Sequence, residues 1–381
     1  MSTPEARARA LLDRFAAATG LSSVSDPRRY LWTDAFAVCT WSGLGEAGRA
    51  AALVDQVHRV LGRHRPDDDR EGWISGLSEA EGAARPTAGG LRIGKPLPER
   101  GPDDGYDRRL EWERDGQYFH YLTQWMRALE RVAAGGAPRC HDWAVELGLV
   151  AFDRFAHGAG PAPDHLYWKM SIDLSGPVVP SMGQHDALDG YVALSAVRAA
   201  GGGGDRLGAA EAARLDRAID ALEEMVDRSG LATDDPLGTG SLLTSAWFLA
   251  RVTRPDEPRR VRILERVLQA ADRSLATVRR TRLFDLPPEQ RLAFRELGLA
   301  IGLAAATRLA SGEAFDGDPL PTVAHRAEPL AGWGHLRSSI QELWLDPDSQ
   351  AAPTWASHED INTVMLATSL APQGYLGTAV G

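Results

Sequence analysis

Cysteine is nearly absent from this chain of 381 residues: Cys39 and Cys140 are the whole supply, which excludes a disulfide framework and a thiolate metal cluster. An excess of basic residues is missing too. The formal charge of -10 and an isoelectric point near 5.5 argue against a nucleic-acid surface, which needs clustered positive charge. No run of 18 apolar residues occurs, so no segment is expected to span a membrane. The opening Met1-Ser2-Thr3-Pro4-Glu5-Ala6-Arg7 lacks the apolar centre of a signal peptide and reads as a helix cap with proline at the first position. A reduced, cytoplasmic protein is the expectation. No HExxH zinc pattern, no phosphate loop and no strand-led GxGxxG is found, and Gly238-Thr239-Gly240-Ser241 lacks the lysine a phosphate loop needs.

Short β-branched runs are also scarce. Apolar residues recur instead at spacings of three and four over ten or more positions, which predicts an all-α chain. Twelve helical segments alternate in character. One set, at about 32–43, 118–133, 184–198, 239–252, 291–306 and 358–370, is apolar or small on most sides, as in Leu242-Leu243-Thr244-Ser245-Ala246-Trp247-Phe248-Leu249; such helices are buried. The other set, at about 4–18, 46–63, 139–157, 209–228, 258–278 and 325–345, carries a charged face such as Arg214, Asp216, Arg217, Asp220, Glu223 and Glu224. Six inner and six outer helices with mostly short connections predict a single-domain (α/α)6 toroid over residues 1–381. In this alternation, and in its aromatic and acidic inner-helix openings, the chain resembles the six-hairpin glycosidase superfamily. The resemblance implies a funnel-shaped site at the N-terminal ends of the inner helices and the hydrolysis, elimination or epimerisation of sugars.

Two insertions interrupt the regularity, at about 64–115 and 158–183, and are expected to cover the cavity. The first holds Trp73, the acidic run Asp67-Asp68-Asp69-Arg70-Glu71 and a Gly/Pro-rich stretch; the second holds Tyr167-Trp168-Lys169-Met170. Loops of this length are usually functional lids or disorder.

Candidate site residues cluster where inner helices begin: Trp32 and Asp34, then Tyr118 and His120, then His185, Asp186 and Asp189, then Arg295, and finally His358, Glu359 and Asn362. Asp34, Asp186 and Glu359 are the candidate acid and base, because glycoside hydrolysis needs one carboxylic acid and a second carboxylate. His185 and His358 are alternative proton carriers for epimerisation or elimination. Trp32, Tyr118, His120, Tyr167, Trp168, Lys169, Asp189, Arg295 and Asn362 are the expected substrate contacts, with aromatic faces against the apolar faces of pyranose rings. The substrate expected is a small saccharide.

Other roles compete for the same residues. Ser181-x-x-Gln184 and Ser357-x-x-Asp360 resemble capping boxes, acidic residues favour the first turn of any helix, and Arg295 reads as an ion-pair partner. Asp34, in an apolar helix, has to be paired or to face a cavity. The i, i+4 pairs His185/Asp189 and His358/Asn362 suit a metal, but hydrogen bonding between neighbours is the commoner outcome, and no metal or other cofactor is expected. A terpenoid cyclase is the rival class: Asp67-Asp68-x-x-Glu71 looks like its first magnesium motif, whereas Ala367 stands where the second motif ends in glutamate. A ligand-binding toroid without catalysis is the third reading.

Overall fold

The computed structural model describes residues 2–22, 26–101, 104–160, 162–202, 207–314 and 320–377. In chain order its helices begin with α1 (Pro4–Ala18), α2 (Leu31–Gly43), α3 (Ala47–Leu61), α4 (Glu79–Ala84), α5 (Arg108–Glu113), α6 (Phe119–Ala134), α7 (Arg139–Phe155), α8 (Asp186–Ala200) and α9 (Ala209–Arg228). They continue with α10 (Pro236–Val252), α11 (Pro258–Arg280), α12 (Ala293–Ala310), α13 (Pro321–Ala331), α14 (Gly334–Leu345), α15 (Pro347–Gln350), α16 (Pro353–Ala356), α17 (Glu359–Leu370) and α18 (Gln373–Leu376). The strands are short: β1 (Gln117–Tyr118), β2 (Ala156–His157), β3 (His165–Leu166), β4 (Lys169–Met170) and β5 (Pro177–Val179). The chain is thus dominated by helix, as its periodicity predicts. Among the described residues no helix is long and apolar enough to cross a membrane.

Eleven of the twelve expected segments are single helices. The twelfth, 325–345, is two. Pro329, which lacks a backbone donor, lies in the last turn of α13, and Gly332, a poor helix former, is its C-cap just before α14 starts. Two expected caps also differ. α8 opens from His185 and α17 from His358, neither with a side-chain cap bond, so Ser181 and Ser357 are not their N-caps.

The chain clusters into two compact units, here the first unit (residues 16–228) and the second unit (residues 2–15 with 229–377). In the first, α6 packs between α2 and α8, with α3 behind α2, α7 behind α6 and α9 behind α8. Every residue of α2 from Leu31 to Trp41 is buried, whereas α9 buries only one stripe including Leu215, Ile219, Leu222 and Val226. α2, of the apolar set, and α9, of the charged-face set, thus differ in burial as their sequences do.

In the second unit α12 packs between α10 and α17, with α11 against α10 and both α13 and α14 against α12. Glycines bring α10 and α12 backbone to backbone. A Cβ on Gly240 would lie 2.2 Å from the Gly298 carbonyl oxygen, and one on Gly302 would lie 2.6 Å from the Gly240 Cα. α10 starts from Asp235, whose carboxylate accepts the Gly238 N–H at 3.0 Å, with Pro236 in the first turn.

The insertions of the first unit are tied to one another. Gln117, fully buried, accepts the Leu91 N–H at 2.8 Å and donates to the carbonyls of Gly89 at 2.9 Å and Ile172 at 2.6 Å. Gly90 permits this approach: its φ is 71°, and a Cβ there would stand 2.1 Å from the Gln117 side-chain oxygen. Asp115, also buried, accepts the N–H groups of Gly94 and Gly116 and pairs with Arg92 and Arg65. β1 pairs antiparallel with β4, placing Tyr118 opposite Lys169, and β4 pairs with β5.

Candidate functional site

Four chain segments of the first unit supply a continuous group of rings. Tyr118 precedes α6 and its ring stacks on His120 (centroids 5.4 Å apart, planes at 20°); Tyr121 meets Tyr118 at 5.1 Å and His120 at 4.8 Å, edge to face. From the loop before α2, Tyr30 joins Tyr121 through hydroxyls 2.6 Å apart, and Trp32 lies 6.5 Å from Tyr121. Trp168, just before β4, lies 6.4 Å from His120 and 4.6 Å from Trp112. Burial pushes the phenols of Tyr30, Tyr118 and Tyr121 above the usual tyrosine range, so they remain neutral.

Acid–base groups border these rings. His120, with 27% of its side chain exposed, has Nδ1 3.5 Å from Oδ1 of Asp186, and the other carboxylate oxygen of Asp186 accepts the Gly183 N–H at 2.9 Å. One turn on from His185, half-buried Asp189 has its carboxyl pushed up to about 6. Desolvation is the main cause; the charge of Asp186 adds to it, while His185, His120 and Arg127 oppose it. The arrangement pairs a carboxyl that holds its proton into the mildly acidic range with a carboxylate and two imidazoles in its electrostatic surroundings.

Other expected residues of this unit serve the fold. Asp34 is 1% exposed; Oδ1 pairs with Arg29 Nη1 at 3.2 Å, and Oδ2 accepts the Tyr30 N–H at 2.9 Å. Its burial is thus compensated by a buried guanidinium, which also donates to the Thr19 carbonyl at 2.6 Å. Lys169 is fully buried, and its ammonium donates to the carbonyls of Glu111 at 2.5 Å and Arg114 at 2.6 Å. Desolvation, aided by nearby Lys95, pushes it down to about 8. The ammonium nitrogens of Lys95 and Lys169 each lie 5.6 Å from the centre of the Tyr118 ring. Tyr167 stacks on His157 at 3.8 Å in the β2–β3 hairpin.

Two carboxylates of the acidic run, Asp67 and Asp68, are already held by arginines, while Asp69 and Glu71 are exposed. Arg65 holds Asp67 in a two-pronged pair at 2.7 and 2.8 Å, and Arg70 holds Asp68 and reaches Glu99 and Asp173. The Arg70 hydrogen bonds push the Asp68 carboxyl down to about 2. A magnesium diphosphate would have to displace the chain's own arginines.

The remaining candidates lie in the second unit. Arg295 pairs with Asp235 at 2.8 Å, the role its sequence context indicates. Asn362, fully buried, accepts the Phe294 N–H at 2.9 Å and donates to the Trp355 carbonyl at 3.0 Å, which fixes the start of α12 against α17. His358 lies 5.4 Å from the Phe294 ring and 2.9 Å from the Ser357 hydroxyl, and Glu359 is exposed in the first turn of α17. Among the described residues no three His, Cys, Asp or Glu side chains are grouped to hold a metal. Neither i, i+4 pair is therefore part of a larger ligand set.

Tyr30, Trp112 and Arg29 were not expected at the site. Tyr30 and Arg29 immediately precede a helix read as starting near residue 32, and Trp112 lies in an insertion without periodicity. Comparison with known protein families, with curated proteins and with solved structures finds no match for this chain.

Proposed function

We propose that the protein is a carbohydrate-active enzyme, most simply a glycoside hydrolase, working at the openings of α6 and α8 in the first unit. The observation that carries this reading is the protonated-leaning carboxyl of Asp189 near Asp186, His120 and His185, with His120 itself against the Tyr118, Tyr121 and Trp168 rings. Stacked rings suit the apolar face of a sugar. In this scheme Asp189 gives its proton to the glycosidic oxygen as the bond to the anomeric carbon breaks. Asp186, with His120 beside it, takes a proton from the water that adds to that carbon. The base is assigned here rather than to Asp34, because Arg29 holds that carboxylate.

The His120–Asp186 pair favours a second reading in which the imidazole removes a proton from carbon, as in epimerisation or uronate elimination. Incubation with a saccharide panel in deuterated water separates the two. Hydrolysis gives new reducing ends without deuterium at carbon, whereas proton transfer at carbon introduces deuterium or a double bond. With Asp189 as acid, kcat falls as pH rises through about 6, since only the protonated carboxyl donates. Saccharide binding with no turnover at any pH leaves only a binding protein and sinks both schemes.

The (α/α)6 toroid remains the proposed whole-chain architecture. It is supported by the repeated plan within each unit, a row of three inner helices backed by outer ones; small-angle scattering that fits no closed ring removes it. A reducing cytoplasm is the proposed setting, in keeping with two buried free thiols.

A further inference from the structure

Two irregularities of the second unit meet at one place. Past the end of α11 the chain passes through Arg282 in the left-handed region (φ 56°, ψ 26°), a conformation unfavourable for a residue with a Cβ. The long outer helix breaks between α13 and α14, and Trp333 occupies the break. Between these features lies a cleft of about 250 Å³, floored by Val278 and Leu336 and bordered by half-buried Phe284 and Trp333.

The charges in this cleft are unequal. Arg282 is paired with Asp285 at 2.8 Å, and His335 turns Nδ1 towards the Gly332 carbonyl at 3.3 Å. Arg279 is in no ion pair among the described residues, and its guanidinium stands 6.0 Å from the centre of the Trp333 ring. His335 lies against the same indole at 6.2 Å with planes at 21°. An arginine over an indole retains N–H donors for the forked recognition of a carboxylate or phosphate. The volume, just under the usual range of about 300–1,000 Å³ for ligand pockets, limits the ligand to about one ring and its acid group.

We propose that this cleft binds a small organic anion with a flat apolar body, the class of aryl carboxylates and aryl phosphates, at Arg279 and Trp333. The anion meets the Arg279 fork and the ring lies against Trp333, Phe284 and Leu336. The competing account makes Arg279 a cation for the C-terminal end of α11, which requires no ligand.

Isothermal titration calorimetry decides between them, with benzoate and phenyl phosphate as probes and with benzyl alcohol and inorganic phosphate each lacking one half of the ligand. At least one aryl anion is expected to bind one to one, and each control about tenfold or more weaker. Arg279→Met and Trp333→Leu should each weaken aryl-anion binding about tenfold or more, with circular dichroism confirming that both variants fold. His120→Ala should bind like the unaltered protein, which separates this cleft from the sugar site. Absence of heat with both aryl anions, equal binding of the controls, unchanged affinity in Arg279→Met, or loss of binding in His120→Ala overturns the proposal.

Discussion

Each unit has a carboxylate in the first turn of one of its apolar helices, and the two are handled in opposite ways. Glu296 of α12 is fully buried and held by a two-pronged Arg291 pair at 2.8 and 2.6 Å, with the Trp344 indole N–H donating to it at 3.0 Å. Asp189 of α8 is only half-buried, yet desolvation and a neighbouring carboxylate hold its proton on to about pH 6. Depth is therefore a poor guide to role. A carboxylate matched to a guanidinium fork is an element of the fold, whereas one desolvated beside a second carboxylate retains a proton to exchange.

The sharpest way to break this contrast is Asp189→Asn. Turnover should fall about a hundredfold or more, the usual contribution of a general acid. Stability at pH 7 should rise. The folded value of about 6 lies above the ordinary 3.8, so the folded state binds more protons than the unfolded one between those limits, and stability is lost as pH climbs through them. The cost of ionisation above pH 6 is of order 2–3 kcal/mol, and an amide escapes it. A variant that melts below the unaltered protein at pH 7 would make Asp189 a structural residue.

Glu296→Gln tests the other side. With Arg291 left buried and unmatched, urea denaturation should show a loss of about 3–5 kcal/mol, and a change below about 1 kcal/mol would place Glu296 with Asp189 after all. Next in size is Gly240→Ala, whose new methyl meets the Gly298 carbonyl at 2.2 Å; overpacking of this kind costs about 1–3 kcal/mol or more, read in the same experiment. The smallest effect has the opposite sign. Gly48, inside α3, has nothing within 4 Å of its absent Cβ, so Gly48→Ala should gain about 0.5–1 kcal/mol.

Helix positions were legible because burial imposes a period of 3.6 that survives without any partner in view. Even the break in the 325–345 segment has its marks, Pro329 and Gly332, but the apolar period continues on both sides of them and masks it. The grouping of Trp32, Tyr118, His120 and Asp186 was legible in outline, since each stands where a buried helix begins. Individual roles were less so. Asp34 required a partner, but Arg29 lies in the preceding loop, outside any helical spacing. Trp168 and Lys169 are chain neighbours with opposite fates: Lys169 is buried in β4 and anchors main chain, while Trp168 is left half-exposed beside His120. Strand geometry sends successive side chains to opposite faces, and a two-residue strand leaves no pattern to read. Asp115 gathers loop N–H groups and arginines from segments 20 to 50 residues away, and no local signal encodes such a hub.

The membership of α1 bears on how the chain is made. Residues 2–15 group with 229–377, whereas 16–228 form an uninterrupted stretch. During synthesis the uninterrupted stretch is free to collapse as soon as it leaves the ribosome. The part of α1 within residues 2–15 has to wait for residues 229–377, which are translated later. Its apolar stripe of Ala8, Leu11, Leu12 and Phe15 spends that interval exposed, so chaperone dependence should fall mainly on the second unit.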